Sequence, residues 1–200
     1  MLTPDRFNGT EEYNRLGLLK HSLSLAQTNG WFLEFGVYKG TSLKYMSDLY
    51  PDRIFHGFDS FEGLPEDWNR SDTSTYKKGH FSVSSIPKMN SNAKLIKGFF
   101  DASLPKWIEA NKNKDQFVSF LHIDSDLYSS AKTILTELNK YIKAGTIIVF
   151  DELCDWKETN IYPKWERGEW LALSEWVRDY NRSYEVIGRE RTFGGAINVC

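Results

Sequence analysis

Short apolar runs alternate with longer helix-like stretches along the whole chain, and this alternation constrains the fold more than any other feature of the sequence. A strand, a crossover helix and another strand build a mostly parallel sheet with helices on both faces. The expected strands are 31–35, 54–58, 93–98, 117–123 and 146–150. Segment 117–123 is almost wholly apolar, as a central parallel strand should be. Helices are expected at 10–27, 41–50, 104–111, 129–142 and 168–180, the fourth carrying Ala131, Ile134, Leu135, Leu138 and Ile142 on one stripe. Segments 184–188 and 193–199 read as a closing antiparallel pair. The expected fold class is therefore α/β: a doubly wound, mostly parallel sheet with a C-terminal antiparallel hairpin.

A length of 200 residues, 40% of them hydrophobic, suits one domain spanning 1–200, with an N-terminal helical segment at 1–30. Residues 59–92 are rich in Ser, Gly, Pro and charge, and 60–92 read as an unstructured lid loop. The net charge of −2 argues against nucleic acid as a partner. No apolar run approaches the roughly 20 residues of a membrane span, and 1–10 lack a signal-peptide core, so the expected location is the cytoplasm, without membrane contact. Cys154 and Cys200 form neither a disulfide scaffold nor a zinc site. The first helix is free to cover the sheet or to build a homo-oligomer, and no residue decides between them.

Chemistry-bearing residues fall at the expected strand ends, where open α/β sheets bind ligands. Glu34-Phe35-Gly36-Val37-Tyr38-Lys39-Gly40-Thr41 ends a strand in an acid and turns through two glycines into a helix. The glycines are spaced unlike the dinucleotide fingerprint, and Glu34 would repel a pyrophosphate but attract a sulfonium cofactor bearing an ammonium group. The segment equally reads as a strand–turn–helix with an incidental acid. Asp59 ends the second strand, about 20 residues beyond the glycine turn, where an acid takes ribose hydroxyls in cofactor-binding folds. Phe100 and Asp101 follow the third strand, where an adenine would lie; Asp101 also reads as a helix cap.

Asp124 ends the central strand within His122-Ile123-Asp124-Ser125-Asp126, and Asp151-Glu152 ends the next. Carboxylates crowded on one rim call for a cation, and all-oxygen ligands suit Mg²⁺. Asp124, Asp151 and Glu152 are the expected ligands. The other reading has Asp126 and Ser129 capping a helix and the remaining acids solvated. Candidates for the general base are Asp126, His122 and His80, with Asp124 orienting the acceptor; His21 and His56 read as structural. Trp68, Tyr76, Trp156, Tyr162 and Trp165 lie in long loops and either wall a pocket or fasten the loops.

Taken in order, Leu33–Gly40, Asp59–Pro65, Asp101 with Leu104-Pro105, Ile123–Ser130 and Ala144–Glu152 resemble the TylF/MycF-type sugar O-methyltransferases (the macrocin O-methyltransferase family), within the class I S-adenosylmethionine-dependent superfamily. The resemblance covers about residues 30 to 152. It implies a Rossmann-like, seven-stranded class I methyltransferase sheet. It also implies S-adenosylmethionine as cofactor and a magnesium site at Asp124 and Asp151. The cofactor contacts then expected are Glu34, Phe35, Gly36, Gly40, Thr41, Asp59, Ser60, Phe100, Asp101 and Asp124. The family carries two aspartates and a tyrosine where this chain has Asp151-Glu152-Leu153, and a longer N-terminal region. The function expected is Mg-assisted methylation of a hydroxyl on a small molecule, a sugar or other polyhydroxyl compound. Two further readings remain: a metal-dependent nucleotide-sugar glycosyltransferase using Asp124-Ser125-Asp126, and an inactive methyltransferase fold serving as a binding module.

Overall fold

A computed structural model describes residues 3–200; Met1 and Leu2, part of the expected N-terminal segment, lie outside it. The sheet is built from β1 (Glu12–Tyr13), β2 (Trp31–Phe35), β3 (Phe55–Asp59), β6 (Ala93–Lys97), β7 (Val118–Ile123), β8 (Ile147–Phe150), β9 (Tyr184–Glu190) and β10 (Gly195–Val199), with β4 (Trp68–Asn69) and β5 (Thr75–Tyr76) forming a separate pair. The strand order is β1-β9-β10-β8-β7-β2-β3-β6. Strands β6, β3, β2, β7 and β8 run parallel, and β9 and β10 close the sheet as the expected antiparallel hairpin. Strand β1 pairs in parallel with β9 and adds an eighth strand at that edge. The helices are α1 (Arg15–Leu25), α2 (Thr41–Leu49), α3 (Phe100–Asn111), α4 (Tyr128–Leu138) and α5 (Glu169–Asp179). None of the described helices is long and apolar enough to cross a membrane.

Alternation along the strands divides the core into two layers. Trp31, Leu33, Phe35, Leu121, Ile123, Ile148 and Phe150 point to the α3, α4 and α5 side. Phe32, Phe120, Ile147 and Val149 point to α1 and α2, meeting Leu18, Leu19, Leu23, Leu43 and Met46. The same rule puts Glu34, His122, Asp124 and Asp151 on the α1 side. Phe35 stacks on Phe58 at 4.6 Å and meets Phe100 edge-on at 5.2 Å. Such pairs add about 0.5–1.5 kcal/mol each beyond their buried area.

Two expectations change. The first helix starts at Arg15, capped by Asn14, whose side chain accepts from Gly17 N at 2.7 Å, and not at residue 10. The preceding residues instead form a 3-10 turn (Pro4–Phe7) and β1. The 59–92 segment is not unstructured. Leu64 N donates to His80 O at 2.8 Å, Gly79 N donates to Leu64 O at 2.9 Å, and β4 pairs with β5. Trp68, Leu64, Leu127 and Tyr162 supply the apolar cluster that fixes the segment.

Candidate active site

The parallel pairing continues one residue beyond the strands. Gly36 N donates to Phe58 O, Asp124 N to Phe35 O and Asp151 N to Ile123 O, each at 2.9 Å. These ends carry the floor of a cavity of about 650 Å³, a usual size for small-molecule sites. Gly36, Asp59, Ser60, Phe100 and Asp101 line one part; Asp124, Asp126, Asp151 and Glu152 line another.

The glycine turn is held from the neighbouring strand. Asp59 accepts from Tyr38 N at 2.7 Å through one oxygen and from Phe61 N at 2.6 Å through the other. At Gly36, φ is +98°, and a Cβ there would lie 1.8 Å from Asp124 O. Only glycine permits that approach of β2 to β7. Bare Gly36 lets β2 and β7 close together while Asp59 fixes the turn that follows, so Gly36, Asp59 and Asp101 form a cradle along one part of the cavity.

Several expected contacts lie elsewhere. Glu34 and His122 are fully buried; Glu34 Oε1 meets His122 Nδ1 at 2.9 Å, and neither residue lines the cavity. Period-two alternation turns both side chains beneath the floor, where Glu34 pairs with His122. Phe35 is core. Gly40 and Thr41 open α2 outside the cavity, and a Cβ on Gly40 would lie 2.9 Å from Met89 Sδ. His80 packs on Tyr76 and Phe81, at 4.7 and 4.4 Å between ring centres, and does not line the cavity. Of the loop aromatics, Trp68, Tyr76 and Tyr162 pack on one another, Trp156 sits 4.9 Å from Phe7, and Trp165 sits 5.2 Å from Trp170. They fasten the loops. Asp126 does not cap α4, whose N-cap is Leu127.

The acids form two groups that share Asp124. Asp124, Asp126 and Glu152 bring ligand atoms within 4.8 Å of one another, as do His122, Asp124 and Asp151. The expected trio of Asp124, Asp151 and Glu152 is thereby split, with Asp126 beside Glu152 and Asp151 beside His122. Burial, and then the Asp151 charge, hold Asp124 well above the usual carboxylate range. Burial, and then Asp126, do the same to Glu152. Burial pushes Asp126 up to about 6. Burial opposes a charge on His122, but the carboxylates of Asp151 and Glu34 outweigh it and push it up to about 10. Glu152 Oε2 is buried without a hydrogen-bond partner. An orphaned oxygen among crowded carboxylates fits a hard divalent cation.

Two participants escaped the sequence reading. Arg15, at the start of α1, reaches Asp151 Oδ1 with Nε at 2.6 Å and bonds Asp124 Oδ2 through Nη2. Glu169, fully buried at the start of α5, accepts from Ser125 N and Glu152 N, both at 3.1 Å, and ties the two acid-bearing loops together. No spacing rule points to Arg15. The Gly168-Glu169 helix start is the only local sign of Glu169.

Residues 33–153 match a family model described as a methyltransferase domain. No curated protein matches the chain. Among solved structures, the calicheamicin methyltransferase CalS11 is similar at 21% identity and a TM-score of 0.67, over 90% of this chain and 75% of that one. A second CalS11 structure, described as TDP-rhamnose 3'-O-methyltransferase, gives 20% and 0.59 over 90% and 75%. The O-methyltransferase NovP gives 18% and 0.61 over 92% and 79%. MycE methyltransferase, in complex with Mg and SAH, gives 16% and 0.54 over 90% of this chain and 47% of that longer one. At these identities the likeness speaks for the fold.

Proposed function

This chain belongs to the methyltransferase-domain family and is an S-adenosylmethionine-dependent methyltransferase; from that premise we propose that it methylates a hydroxyl of an uncharged polyhydroxyl small molecule, such as a sugar, with help from Mg²⁺. The observation that carries the proposal is one cavity with the Gly36–Asp59–Asp101 cradle and the Asp124–Asp126–Asp151–Glu152 acids in its lining. The cofactor supplies an electrophilic methyl on a sulfonium. Asp59 orients the ribose end and Asp101 the base, with Ser60 and Phe100 beside them. Asp124 and Glu152 would hold a cation, which would supply the charge that lowers the pKa of the acceptor hydroxyl. Asp126 takes that hydroxyl's proton; His122 and His80 are set aside because neither lines the cavity. The chain's main contribution is orientation and exclusion of water.

The lining also bears on the acceptor. Asp59, Glu66, Asp101, Asp124, Asp126, Asp151 and Glu152 face only Arg15 and Lys78 as fixed cations. Such a cavity repels phosphates. This supports a sugar without a diphosphate and weighs against the glycosyltransferase reading of Asp124-Ser125-Asp126. The neighbour described as TDP-rhamnose 3'-O-methyltransferase supports a sugar hydroxyl as acceptor, although its own sugar carries the diphosphate that this lining disfavours. Membership of the narrower TylF/MycF branch, a single domain over 1–200, closure of 60–92 as a lid and a cytoplasmic site of action belong to the same proposal.

Calorimetric titration with S-adenosylhomocysteine, with and without Mg²⁺, tests it. Micromolar binding is expected, weakened at least tenfold in Asp59→Ala while the fold persists by circular dichroism. Absence of binding, together with metal-dependent binding of a nucleotide diphosphate sugar, would overturn the proposal.

A further inference from the structure

We propose that Arg15 is a built-in competitor for the divalent-cation site, so that metal binding and docking of the α1 start oppose each other. The inference rests on the reading of the acid cluster as a cation site. Asp124 belongs to both acid groups, and its Oδ2 is already bonded by Arg15 Nη2. Arg15 Nε holds Asp151 Oδ1 at 2.6 Å, so one guanidinium straddles the two strand ends. A cation drawn to Asp124 and Glu152 must share Asp124 with a fixed positive charge. Each ligand therefore weakens the other, by the same factor.

The structure gives Arg15 somewhere to go. Its side chain is 43% exposed, and it stands at the first turn of a helix whose opening rests on Asn14. Asp151 without Arg15 keeps His122 Nε2 at 3.8 Å as a compensating charge. Among the described residues the buried and unpartnered Glu152 Oε2 has no such substitute, which marks the Glu152 side as the one left open for an added cation. Without metal, Arg15 balances part of the acid charge. With metal, the α1 start is loosened over the cavity mouth that it helps to line.

Two measurements decide the matter. Mn²⁺ is titrated by electron paramagnetic resonance into wild type, Arg15→Met and Arg15→Lys. Hydrogen exchange at the Gly17 and Leu18 amides, which Asn14 holds through its side chain and carbonyl, is followed in wild type with and without Mg²⁺. Arg15→Met should bind Mn²⁺ at least tenfold more tightly, with Arg15→Lys between, and Mg²⁺ should speed exchange at both amides. If wild type binds Mn²⁺ but Arg15→Met binds no more tightly, or if exchange does not respond to Mg²⁺, the competition is refuted and the cation site stands. If none of the proteins binds Mn²⁺, the cation site falls and the competition with it. Should Arg15→Met fail to fold, the exchange result on wild type decides alone.

Discussion

Replacing Gly36 by alanine should loosen the floor of the site, by an amount that follows from its surroundings. The added Cβ would stand 1.8 Å from Asp124 O and 2.8 Å from Asp124 C, both backbone atoms that cannot swing aside. The strand ends must part, against the 2.9 Å bond from Asp124 N to Phe35 O. Overpacking of this kind costs roughly 1–3 kcal/mol. Holding alanine at a φ of +98° adds about 1–2 kcal/mol, of which about 0.4–1 kcal/mol is offset by a stiffer unfolded chain. The net loss is about 2–4 kcal/mol, or roughly 4–16 °C in melting temperature for a chain of this size. Gly79→Ala is the control: its φ is +83°, but its Cβ would meet only Glu62 O, at 3.8 Å. With the same offset it should lose only about 0–1.6 kcal/mol, from strain alone. Differential scanning fluorimetry reads both variants, and calorimetry reads S-adenosylhomocysteine affinity, which Gly36→Ala should weaken at least tenfold. A Gly36→Ala protein that melts no lower than Gly79→Ala and binds the ligand normally would refute the reasoning.

Three further outcomes are expected. Glu34→Leu strips His122 Nδ1 of its buried partner and leaves it only Asp151, at 3.8 Å, so urea unfolding should show a loss approaching about 3–5 kcal/mol; a loss below about 1 kcal/mol would mean that the pair carries no charge. Burial, and then Lys94, depress His56 to about 4 from an ordinary 6.5. Its contribution is therefore full above pH 6.5 and is lost as pH falls from 6.5 toward 4, so wild type should lose more stability over that window than His56→Phe. An NMR titration of His56 with a midpoint above 6 would contradict this. Cys154 is buried, and burial, followed by Asp155, pushes its thiol up to about 12, whereas Cys200 is exposed. Ellman's reagent should find a single reactive thiol in the native protein, and fast labelling of Cys154 would show that its environment is open.

The sequence carried the sheet because each central strand is an apolar run bounded by turn residues, as in Trp31–Phe35 and Val118–Ile123. It carried Asp59, Asp101, Asp124 and Asp151 to the cavity because strand ends and helix starts fix where an acid emerges. Glu34 sits one position before the strand end and faces into a layer and not out of the rim; the alternation that buries Glu34 also buries His122, and the two pair. Gly40 and Thr41 do not line the cavity, because helix α2 leaves it at once. Arg15 was out of reach of local rules: its partners lie 109 and 136 residues away, and only the packing of α1 on the sheet brings them together. The loop aromatics could not be sorted into pocket walls or fasteners, because that choice depends on which loop meets which.

The pairing of β1 with β9 has a consequence for the newly made chain. Glu12 and Arg189, bonded across this edge, are 177 residues apart. At ribosomal speed that interval lasts roughly ten to thirty seconds. Through that time β1 has no strand to pair with, while β7, β8 and the sheet face that α1 covers have already been made. The emerging polypeptide can thus seat α1 on its acid-bearing strands before the edge that anchors β1 exists, so the chain just ahead of Arg15 is the last part of the site to be fixed.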